Sequence, residues 1–380
     1  MTTPAELRSA LADRLAEEDP DTDPAWIDAA RTVPRELFTG AYFLPVEGSN
    51  PTSYRPVREA EPGWLEGVYT NQTLVTQLDG RTRPDDVTEG TAIGAPSSSS
   101  TLPSLVLRMW HQLDPEAGHR VLEIGTGTGY STALGARRLG DTNITSIEYD
   151  PAVGGSAATA IKAAGHAPRL IIGDGLLGDP NGGEYDRIIA TCSVRHIPPP
   201  WLHQVRPGGR ILVTLSGWSF AFGLALLTVT EPGRATGRFL PGYTSFMIAR
   251  PHDRPPRQPL SLLPGDERLT RINPEIISTW TGGWVAQLAA PSAERMGAGG
   301  QQILSDVSTG SQARTIPNPD GGWTVIQRGP LRLWDQVERA VEAWQEAGEP
   351  HQDGFGITVS AARQRVWVGS EDGPGWDLPI

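Results

Sequence analysis

Residues 1–90 contain two segments in which apolar positions recur at helical spacing. Over residues 5–18, leucines return every fourth position in an otherwise polar stretch, which predicts an amphipathic helix. Asp23-Pro24 has the composition of a helix cap and first turn, and it predicts a second helix over residues 25–33. Prolines and glycines then interrupt the pattern, apart from a strand predicted at residues 73–77. We therefore expect residues 1–90 to form an N-terminal helical and loop region.

Between residues 91 and 250, short apolar runs alternate with longer segments of helical periodicity. Almost wholly apolar runs of this length are typical of strands that are buried on both faces. Their alternation with helices predicts a parallel sheet covered on both sides, which is the doubly wound, Rossmann-like α/β class. The predicted strands are 120–124, 144–149, 170–172, 185–191 and 210–215, the last after a turn at 207–209, and the predicted helices are 102–113, 131–139 and 153–164.

Residues 251–380 are predicted to form an additional α+β domain. The stretch from Arg250 to Pro264 contains five prolines and is the clearest linker candidate. Apolar residues recur at three and four positions over residues 331–346, which predicts an amphipathic helix. Two apolar runs, 357–359 and 365–368, flank a polar turn and predict a terminal hairpin.

Composition narrows the classes of function. The chain has 380 residues, and 32 Lys plus Arg against 44 Asp plus Glu give a net charge of −12, which disfavours a general nucleic-acid binder. The single cysteine, Cys192, excludes an internal disulfide and a cysteine-based zinc site, and we expect it to be a small buried residue. The histidines show no metal-ligand spacing, so no metal is expected. Residues 1–20 lack the apolar core of a signal peptide, and the longest apolar stretch, Phe220–Val229, is too short to span a membrane. We expect a soluble, cytoplasmic protein.

The strongest chemical signal is the loop Gly125-Thr126-Gly127-Thr128-Gly129, directly after the first predicted strand of the doubly wound sheet. Glycines let the backbone turn sharply and let a ligand approach the main chain. A dinucleotide fingerprint would be G-x-G-x-x-G. This loop is G-x-G-x-G with Glu123 two positions before it, which is typical of class I S-adenosylmethionine methyltransferases. Glu148 ends the second strand and Gly173-Asp174-Gly175 ends the third, at the carboxyl edge where such sheets bind ligands.

We therefore expect S-adenosylmethionine as the cofactor and S-adenosylhomocysteine as its product. Glu148 is placed to accept hydrogen bonds from the ribose hydroxyls, and Asp174 to accept one from the adenine amino group. The alternative is an ordinary Rossmann-type turn or a degenerate site. The predicted cofactor-binding residues are Glu123, Gly125, Thr126, Gly127, Gly129, Tyr130, Ser131, Glu148, Tyr149, Asp174 and Gly175.

The stretch from about Ser97 to Leu215 resembles the protein-L-isoaspartate O-methyltransferase family. The resemblance implies methylation of an aspartyl-derived carboxylate in a peptide or protein substrate, after which the ester closes to a succinimide. It is carried by Arg-Val-Leu-Glu-Ile-Gly-Thr-Gly-Thr-Gly-Tyr at 120–130, Gly-Asp-Gly at 173–175, Tyr-Asp-Arg-Ile-Ile-Ala-Thr at 185–191, Ile-Pro at 197–198, Leu-His-Gln-Val-Arg-Pro-Gly-Gly at 202–209 and Val-Pro-Arg-Glu-Leu-Phe at 33–38.

The resemblance also points to the catalytic residues. The family carries a Thr-Ile-Ser-Gln-Pro-like motif before the first methyltransferase helix, and its serine approaches the methyl group and the substrate carboxylate. In this chain Ser97-Ser98-Ser99-Ser100-Thr101-Leu102-Pro103 stands there, so the register is open. Ser99 or Ser100, and next Thr101, are the candidate catalytic residues, and Ser98 is a candidate substrate contact. The alternative for this run is a flexible polar loop.

Two residues that follow the fourth strand, Arg195 and His196, are further candidates for substrate contact. Arg195 would suit an anionic peptide, because its planar guanidinium binds carboxylates bidentately. The alternative for His196 is local packing.

The serine run, the helix start at Leu331–Asp335 and the terminal hairpin are similar to methyltransferases that modify ribosomally synthesised peptides of the graspetide and lanthipeptide kinds. That resemblance implies methylation of an ordinary aspartate in a macrocyclic peptide, followed by closure to an aspartimide. Two alternatives stay open: a general isoaspartyl repair enzyme, and a non-catalytic partner of a maturation complex that binds S-adenosylmethionine or peptide. The length favours the first reading, because repair enzymes of the family are usually much shorter.

Overall fold

The computed structural model describes residues 2–256, 264–298 and 300–380. They divide into two compact units. Unit 1 contains residues 1–191 and 204–212, and unit 2 contains residues 192–203 and 213–380. The boundaries at residues 90 and 250 stay a prediction about separate domains. In the part of the chain that the structure describes, no helix has the length and apolar character needed to cross a membrane.

Unit 1 begins with the two helices predicted from the leucine spacing and the Asp-Pro start. They are α1 (Pro4–Glu18) and α2 (Pro24–Thr32), and both predictions are confirmed. Thr3 caps α1 by accepting a hydrogen bond from the amide of Glu6, and Asp23 caps α2 through the amide of Ala25. A short helix, α3, covers Glu36–Thr39.

A small antiparallel sheet follows, and the sequence revealed only one of its five strands. The strand predicted at residues 73–77 is confirmed as β3, and the sheet order is β4-β2-β1-β3-β5. Its strands are short and rich in serine and proline, which hides the alternation on which prediction depends. The elements are β1 (Tyr42–Pro45), β2 (Ser53–Val57), helix α4 (Trp64–Val68), β3 (Leu74–Leu78), β4 (Ala92–Ile93) and β5 (Pro96–Ser100).

The doubly wound α/β fold predicted for the middle of the chain is confirmed. In unit 1 the strand order is β10-β9-β6-β7-β8, and β6 pairs in parallel with both β7 and β9. The strands that follow β6 in the chain, β7 and β8, lie on one side of it, and β9 and β10 lie on the other. The strand order therefore reverses at β6, which makes its carboxyl end a topological switch point. The elements are α5 (Pro103–Leu113), β6 (Val121–Ile124), α6 (Tyr130–Leu139), β7 (Ile144–Glu148), α7 (Pro151–Ala163), β8 (Arg169–Ile172), β9 (Tyr185–Val194) and β10 (Val205–Ser216).

One local prediction in this sheet is wrong. The turn expected at residues 207–209 lies inside β10, which already begins at Val205. Gly208 has a φ of +80° and a β-carbon on Gly209 would lie 2.8 Å from the carbonyl oxygen of Asp186. The two glycines thus let an uninterrupted strand bend and pack closely against its neighbour.

Unit 2 is richer in strands than the α+β prediction implied. Its first group of strands has the order β20-β19-β18-β12-β11, and its second sheet has the order β13-β17-β16-β15-β14. The apolar stretch 220–229 lies largely in β11, which is mostly buried. The predicted helix and hairpin are confirmed as α10 and as the antiparallel pair β18 and β19. Part of the predicted linker, residues 257–263, lies outside the described residues.

The remaining helices and strands have the following bounds in chain order. They are α8 (Pro199–Gln204), β11 (Phe222–Glu231), β12 (Arg234–Phe239), β13 (Asp266–Leu269), α9 (Trp280–Ala289), β14 (Ala293–Ala298), β15 (Gln301–Asp306), β16 (Gln312–Pro317), β17 (Trp323–Arg328), α10 (Leu333–Glu346), β18 (Phe355–Ser360), β19 (Gln364–Val368) and β20 (Gly375–Asp377).

Candidate active site

The glycine loop joins the carboxyl end of β6 to the first turn of α6. Gly125, Gly127 and Gly129 have φ values of +95°, +56° and +92°, so all three occupy the left-handed region that side chains disfavour. Gly127 also faces a neighbour, because a β-carbon placed on it would lie 3.6 Å from the carbonyl oxygen of Ser99. The loop therefore needs glycine for its shape, and it brings backbone close to the strand that carries the serine run.

Glu148, the predicted ribose ligand, lies at the carboxyl end of β7 beside this loop. Its Oε2 accepts a hydrogen bond from the Gly127 amide at 2.8 Å, and its Oε1 accepts one from the Asp150 amide at 2.9 Å. Asp150 in turn caps α7. The carboxylate is thus fixed at the edge of the sheet next to the glycine loop, although its contact with a ribose stays a prediction.

Asp174 and Gly175 follow β8 at the same edge. A carboxylate oxygen of Asp174 accepts a hydrogen bond from the amide of Leu176 at 2.9 Å. A β-carbon on Gly175 would come within 2.5 Å of Ile124, so only glycine lets this turn pack against the end of β6. Tyr149, Ile172 and Leu177 are exposed near these strand ends. A contact of Tyr149 with the cofactor stays a prediction.

Glu123 lies beneath the glycine loop and is completely buried. Its Oε2 accepts hydrogen bonds from the hydroxyls of Thr132 and Ser146, while its Oε1 has no partner of normal geometry among the described residues. Burial raises the pKa of Glu123, and hydrogen bonds from neighbouring hydroxyls oppose that rise. The Ser131 hydroxyl is one of these neighbours, so hydroxyl groups surround the buried carboxyl group, and its contact with a cofactor stays a prediction.

Three other predicted cofactor residues contact protein groups in this structure. The Thr126 hydroxyl lies 2.7 Å from that of Ser146, and the Ser131 hydroxyl accepts a hydrogen bond from the indole of Trp110 at 3.0 Å. Tyr130 is buried, and its burial raises its pKa to about 12. These residues support the loop from below, and their direct contact with a cofactor stays a prediction.

The serine run forms β5, so the alternative of a flexible polar loop is wrong. β5 pairs antiparallel with β3, with Val75 opposite Ser99 and Leu74 opposite Ser100. Ser98 and Ser100 are buried, whereas Ser99 is half-buried and turns its carbonyl toward Gly127. A strand fixes each hydroxyl in a defined direction, which a loop would not do.

The four candidate residues differ in how their polar groups are used. The Ser98 hydroxyl accepts a hydrogen bond from Thr76 at 3.2 Å. The Ser100 hydroxyl is fully buried and has no hydrogen-bond partner among the described residues. Thr101, which is half-buried, follows directly. The catalytic and substrate-binding assignments of Ser98, Ser99, Ser100 and Thr101 stay predictions, and the unsatisfied hydroxyl makes Ser100 the first of them to test.

The sequence did not reveal the side chains that hold β5 in place. Gln77, on β3, donates a hydrogen bond to Asp150 at 3.1 Å and accepts one from the Ser97 hydroxyl at 2.9 Å. Since Asp150 also donates its amide to Glu148, a continuous hydrogen-bonded path joins the glycine loop to the start of the serine strand. No residue type or spacing in the sequence marks such a path.

Arg195 and His196 lie in unit 2 and are engaged there. The guanidinium of Arg195 lies 3.7 Å from the ring centroid of Trp218 and donates to the carbonyl of Pro291 at 3.0 Å. A ring nitrogen of His196 lies 2.7 Å from the carbonyl oxygen of Pro379, and burial lowers the pKa of the imidazole. These contacts are the local packing that was the alternative for His196, and a substrate contact for either residue stays a prediction.

Cys192 is half-buried, whereas the sequence predicted a buried residue. Within residues 2–256, 264–298 and 300–380, no group of three or more His, Cys, Asp or Glu side chains is arranged to hold a metal ion.

Comparison with known proteins places this site in a family context. Residues 86–219 match the family model described as Protein-L-isoaspartate(D-aspartate) O-methyltransferase (PCMT). The chain is 30% identical over 163 residues to a protein-L-isoaspartate O-methyltransferase of Methanopyrus kandleri, a match that covers 41% of this chain and 72% of that protein. It is 31% identical over 210 residues to protein-L-isoaspartate O-methyltransferase 2 of Archaeoglobus fulgidus, covering 55% and 78%.

Other relatives with the same name are covered less completely, two of them over 54% and 55% of their lengths. A solved structure named protein-L-isoaspartate O-methyltransferase superposes with a TM-score of 0.57 at 19% identity, and the match covers 96% of this chain and 100% of that one. At that identity the likeness shows the fold.

Proposed function

The chain belongs to the protein-L-isoaspartate O-methyltransferase family, and we propose that it methylates an ordinary aspartate side chain in a macrocyclic, ribosomally synthesised peptide. It is an S-adenosylmethionine-dependent O-methyltransferase, so the non-catalytic alternative is not retained. The methyl ester would then close to an aspartimide as the next backbone nitrogen attacks the ester carbonyl and methanol leaves.

The residues at the switch point fit the cofactor. The shape of the glycine loop requires glycine at three positions, and the Glu148 carboxylate is fixed beside the loop by the Gly127 amide. Glu148 and Asp174 would hold the ribose and adenine ends. When bound, S-adenosylmethionine supplies an electrophilic methyl group, and S-adenosylhomocysteine is left after the methyl has passed to a carboxylate oxygen.

The observation that carries the proposal is the position of β5 beside the glycine loop. The Ser99 carbonyl lies close to Gly127, and the next residue, Ser100, has a buried hydroxyl without a hydrogen-bond partner among the described residues. A substrate carboxylate is already ionised at neutral pH, so its methylation needs no strong general base. The chain has to orient that carboxylate and remove water from it, and such positioning can supply much of the rate. A serine hydroxyl can donate one hydrogen bond to the carboxylate without neutralising it, as a salt bridge would.

The second candidate function is repair of isoaspartyl residues in damaged proteins. A specific observation favours it: the relatives at 30% and 31% identity are named protein-L-isoaspartate O-methyltransferase. A solved structure of that name is matched over 96% of this chain and 100% of its own length, so a chain of this size also occurs under that name. The length of the chain therefore does not discriminate between the two substrates, contrary to the expectation from the sequence. The peptide reading is supported by the serine run that replaces the Thr-Ile-Ser-Gln-Pro-like motif.

Mass spectrometry separates the two candidates. The peptide proposal predicts that a small Asp-containing precursor and a ligase are encoded beside this gene, and the cyclised precursor is the probe. With S-adenosylmethionine it should gain one CH₂ and then lose methanol, ending one water lighter than it began. Its Asp→Asn form is the control and should not react. Methylation of an isoaspartyl peptide with no methylation of the cyclised precursor would establish the repair function instead.

A further inference from the structure

Arg35 is a fully buried arginine, and within the described part of the chain its side-chain hydrogen bonds all go to backbone carbonyls. It lies just before α3, in the Val33–Phe38 segment that resembles the family. The sequence of that segment does not indicate a role for it. Burial lowers the pKa of Arg35 to about 10, so the guanidinium remains charged at neutral pH. A charge placed in a protein interior is costly unless hydrogen bonds compensate it.

Backbone carbonyls from two separate segments compensate the two terminal nitrogens, while Nε has no hydrogen-bond partner among the described residues. Nη1 donates to the carbonyls of Val68 and Thr70 at 2.6 and 2.8 Å, and Nη2 to that of Gln72 at 2.9 Å. Nη2 also lies 3.3 Å from the carbonyl oxygen of Ser100 and 3.2 Å from that of Thr101. One side chain therefore connects the segment that leads into β3 with the end of the serine strand.

The other side of Arg35 faces the start of α6. Its guanidinium carbon lies 5.8 Å from the ring centroid of Tyr130, the residue that directly follows the glycine loop. The guanidinium thus stands between the exit of the glycine loop and the carbonyls of Ser100 and Thr101. Gln77 and Asp150 connect the beginning of the serine strand to the same loop, so the strand is held at both ends.

We propose that Arg35 is a positioning residue for methyl transfer, which fixes where Ser100 and Thr101 stand relative to the glycine loop. The proposal rests on the proposed carboxyl methylation and adds a residue that contacts neither cofactor nor substrate. An apolar side chain at this position would leave buried carbonyls without donors and free the end of β5 to shift. A displacement of about 1 Å in a positioning group can cost about 100-fold in rate.

The chain offers a matched control in Arg187. This arginine is also buried in unit 1, and it likewise donates to backbone carbonyls, those of Leu113 and Asp114 at 3.1 and 3.0 Å. Those carbonyls lie at the end of α5, and none belongs to the serine strand. Loss of Arg187 should therefore lower stability in a comparable way without moving the candidate catalytic residues.

The experiment compares Arg35→Met, Arg35→Lys, Arg35→Ala and Arg187→Met with the wild-type chain. Its substrate is whichever of the cyclised precursor and the isoaspartyl peptide the wild-type chain methylates faster. For Arg35→Met we expect kcat to fall about 100-fold, with unchanged affinity for S-adenosylhomocysteine and faster hydrogen exchange at the amides of residues 97–102. Arg35→Lys should be intermediate, because an ammonium group cannot span both segments. Added guanidinium should partly restore kcat to Arg35→Ala.

Three results would overturn the proposal. One is a fall in kcat that is equal for Arg35→Met and Arg187→Met once each is corrected for its folded fraction. Another is unchanged exchange at residues 97–102 in Arg35→Met. If that variant does not fold, Arg35→Lys decides, and wild-type kcat in it would refute the role. A wild-type chain that methylates neither substrate refutes the proposed function instead, and the exchange data still report whether Arg35 holds the strand.

Discussion

At the scale of single residues, the buried hydroxyl of Ser100 allows an effect on activity to be separated from an effect on stability. Removing a buried polar group that has no partner costs little folding free energy, because no hydrogen bond is lost. Ser100→Ala should therefore keep the thermal midpoint of the wild-type chain. If the hydroxyl orients the substrate carboxylate, kcat should fall about 100-fold, as for other pre-positioned donors.

Single-turnover rates and thermal melts of Ser100→Ala, Ser99→Ala and their double variant check this prediction. Ser156→Ala, on the exposed face of α7, is the control. Wild-type rates in both single variants and in the double variant would remove the serines from the mechanism, and a loss confined to Thr101→Val would move the assignment by one position.

Glu148 carries the second prediction at this scale. Its carboxylate accepts hydrogen bonds from the Gly127 amide of the glycine loop and from the Asp150 amide, and it is the predicted acceptor for the ribose hydroxyls. Hydrogen bonds to a charged group contribute about 1.5–3 kcal/mol, so Glu148→Gln should weaken binding of S-adenosylhomocysteine about 10- to 100-fold. Titration calorimetry measures this, with the exposed Glu89→Gln as the control. Equal affinity in both variants would contradict the assignment.

The site could be predicted only where a residue acts through its neighbours in sequence. The glycines, Glu148 and Asp174 could be chosen as candidates because each lies at the end of a predicted strand or directly after it. Arg35 was not, since its partners are 33 and 65 residues away, at Val68 and Ser100, and any buried carbonyl could have served. The role of such a residue depends on the tertiary fold, and the local sequence therefore contains no pattern that indicates it.

At the scale of elements, the strands of the doubly wound sheet were predicted from short runs rich in apolar residues that alternate with helices. β6 and β7 are buried along almost their whole length, whereas β5 consists of one proline and four serines, a composition typical of a loop. Its strand character comes from pairing with β3 and from the side chains that hold its ends. The second sheet of unit 2 was missed for a similar reason, because strands such as β15 mix polar and apolar residues.

The packing of α10 gives a prediction about pH. Glu338, on this helix, is buried and accepts hydrogen bonds from the guanidinium of Arg268, from the hydroxyl of Thr270 and from the amide of Arg271. Burial alone would raise the pKa of Glu338, but these partners outweigh burial and hold the pKa below its ordinary value. The carboxylate therefore stabilises unit 2 above the ordinary glutamate pKa of about 4.3, and this contribution is lost as the pH falls through the lower folded value.

Glu338→Gln should accordingly lower the free energy of unfolding by about 2 kcal/mol at neutral pH, and the deficit relative to the wild-type chain should shrink as the solution is acidified below about pH 4. Urea unfolding at a series of pH values measures both. Glu346→Gln, exposed on the same helix, should show neither effect. A deficit that is constant with pH would mean that Glu338 acts through packing and not through its charge.

At the scale of the whole molecule, the net charge of −12 opposes the approach of an acidic peptide and favours that of a basic one. Salt screens such long-range interactions, with a Debye length of about 10 Å at 0.1 M. We therefore expect kcat/KM to change with salt concentration, and the direction of the change to depend on the charge of the peptide.

Two forms of the methylated substrate test this, one with lysines and one with glutamates added far from the reacting residue. Raising the salt from roughly 0.02 to 0.3 M should lower kcat/KM for the lysine form and raise it for the glutamate form by at least about threefold. The value of kcat should be constant, because the bound complex is no longer limited by encounter. The opposite sign for the glutamate form would show that arginines close to the site, and not the net charge, govern capture of the substrate.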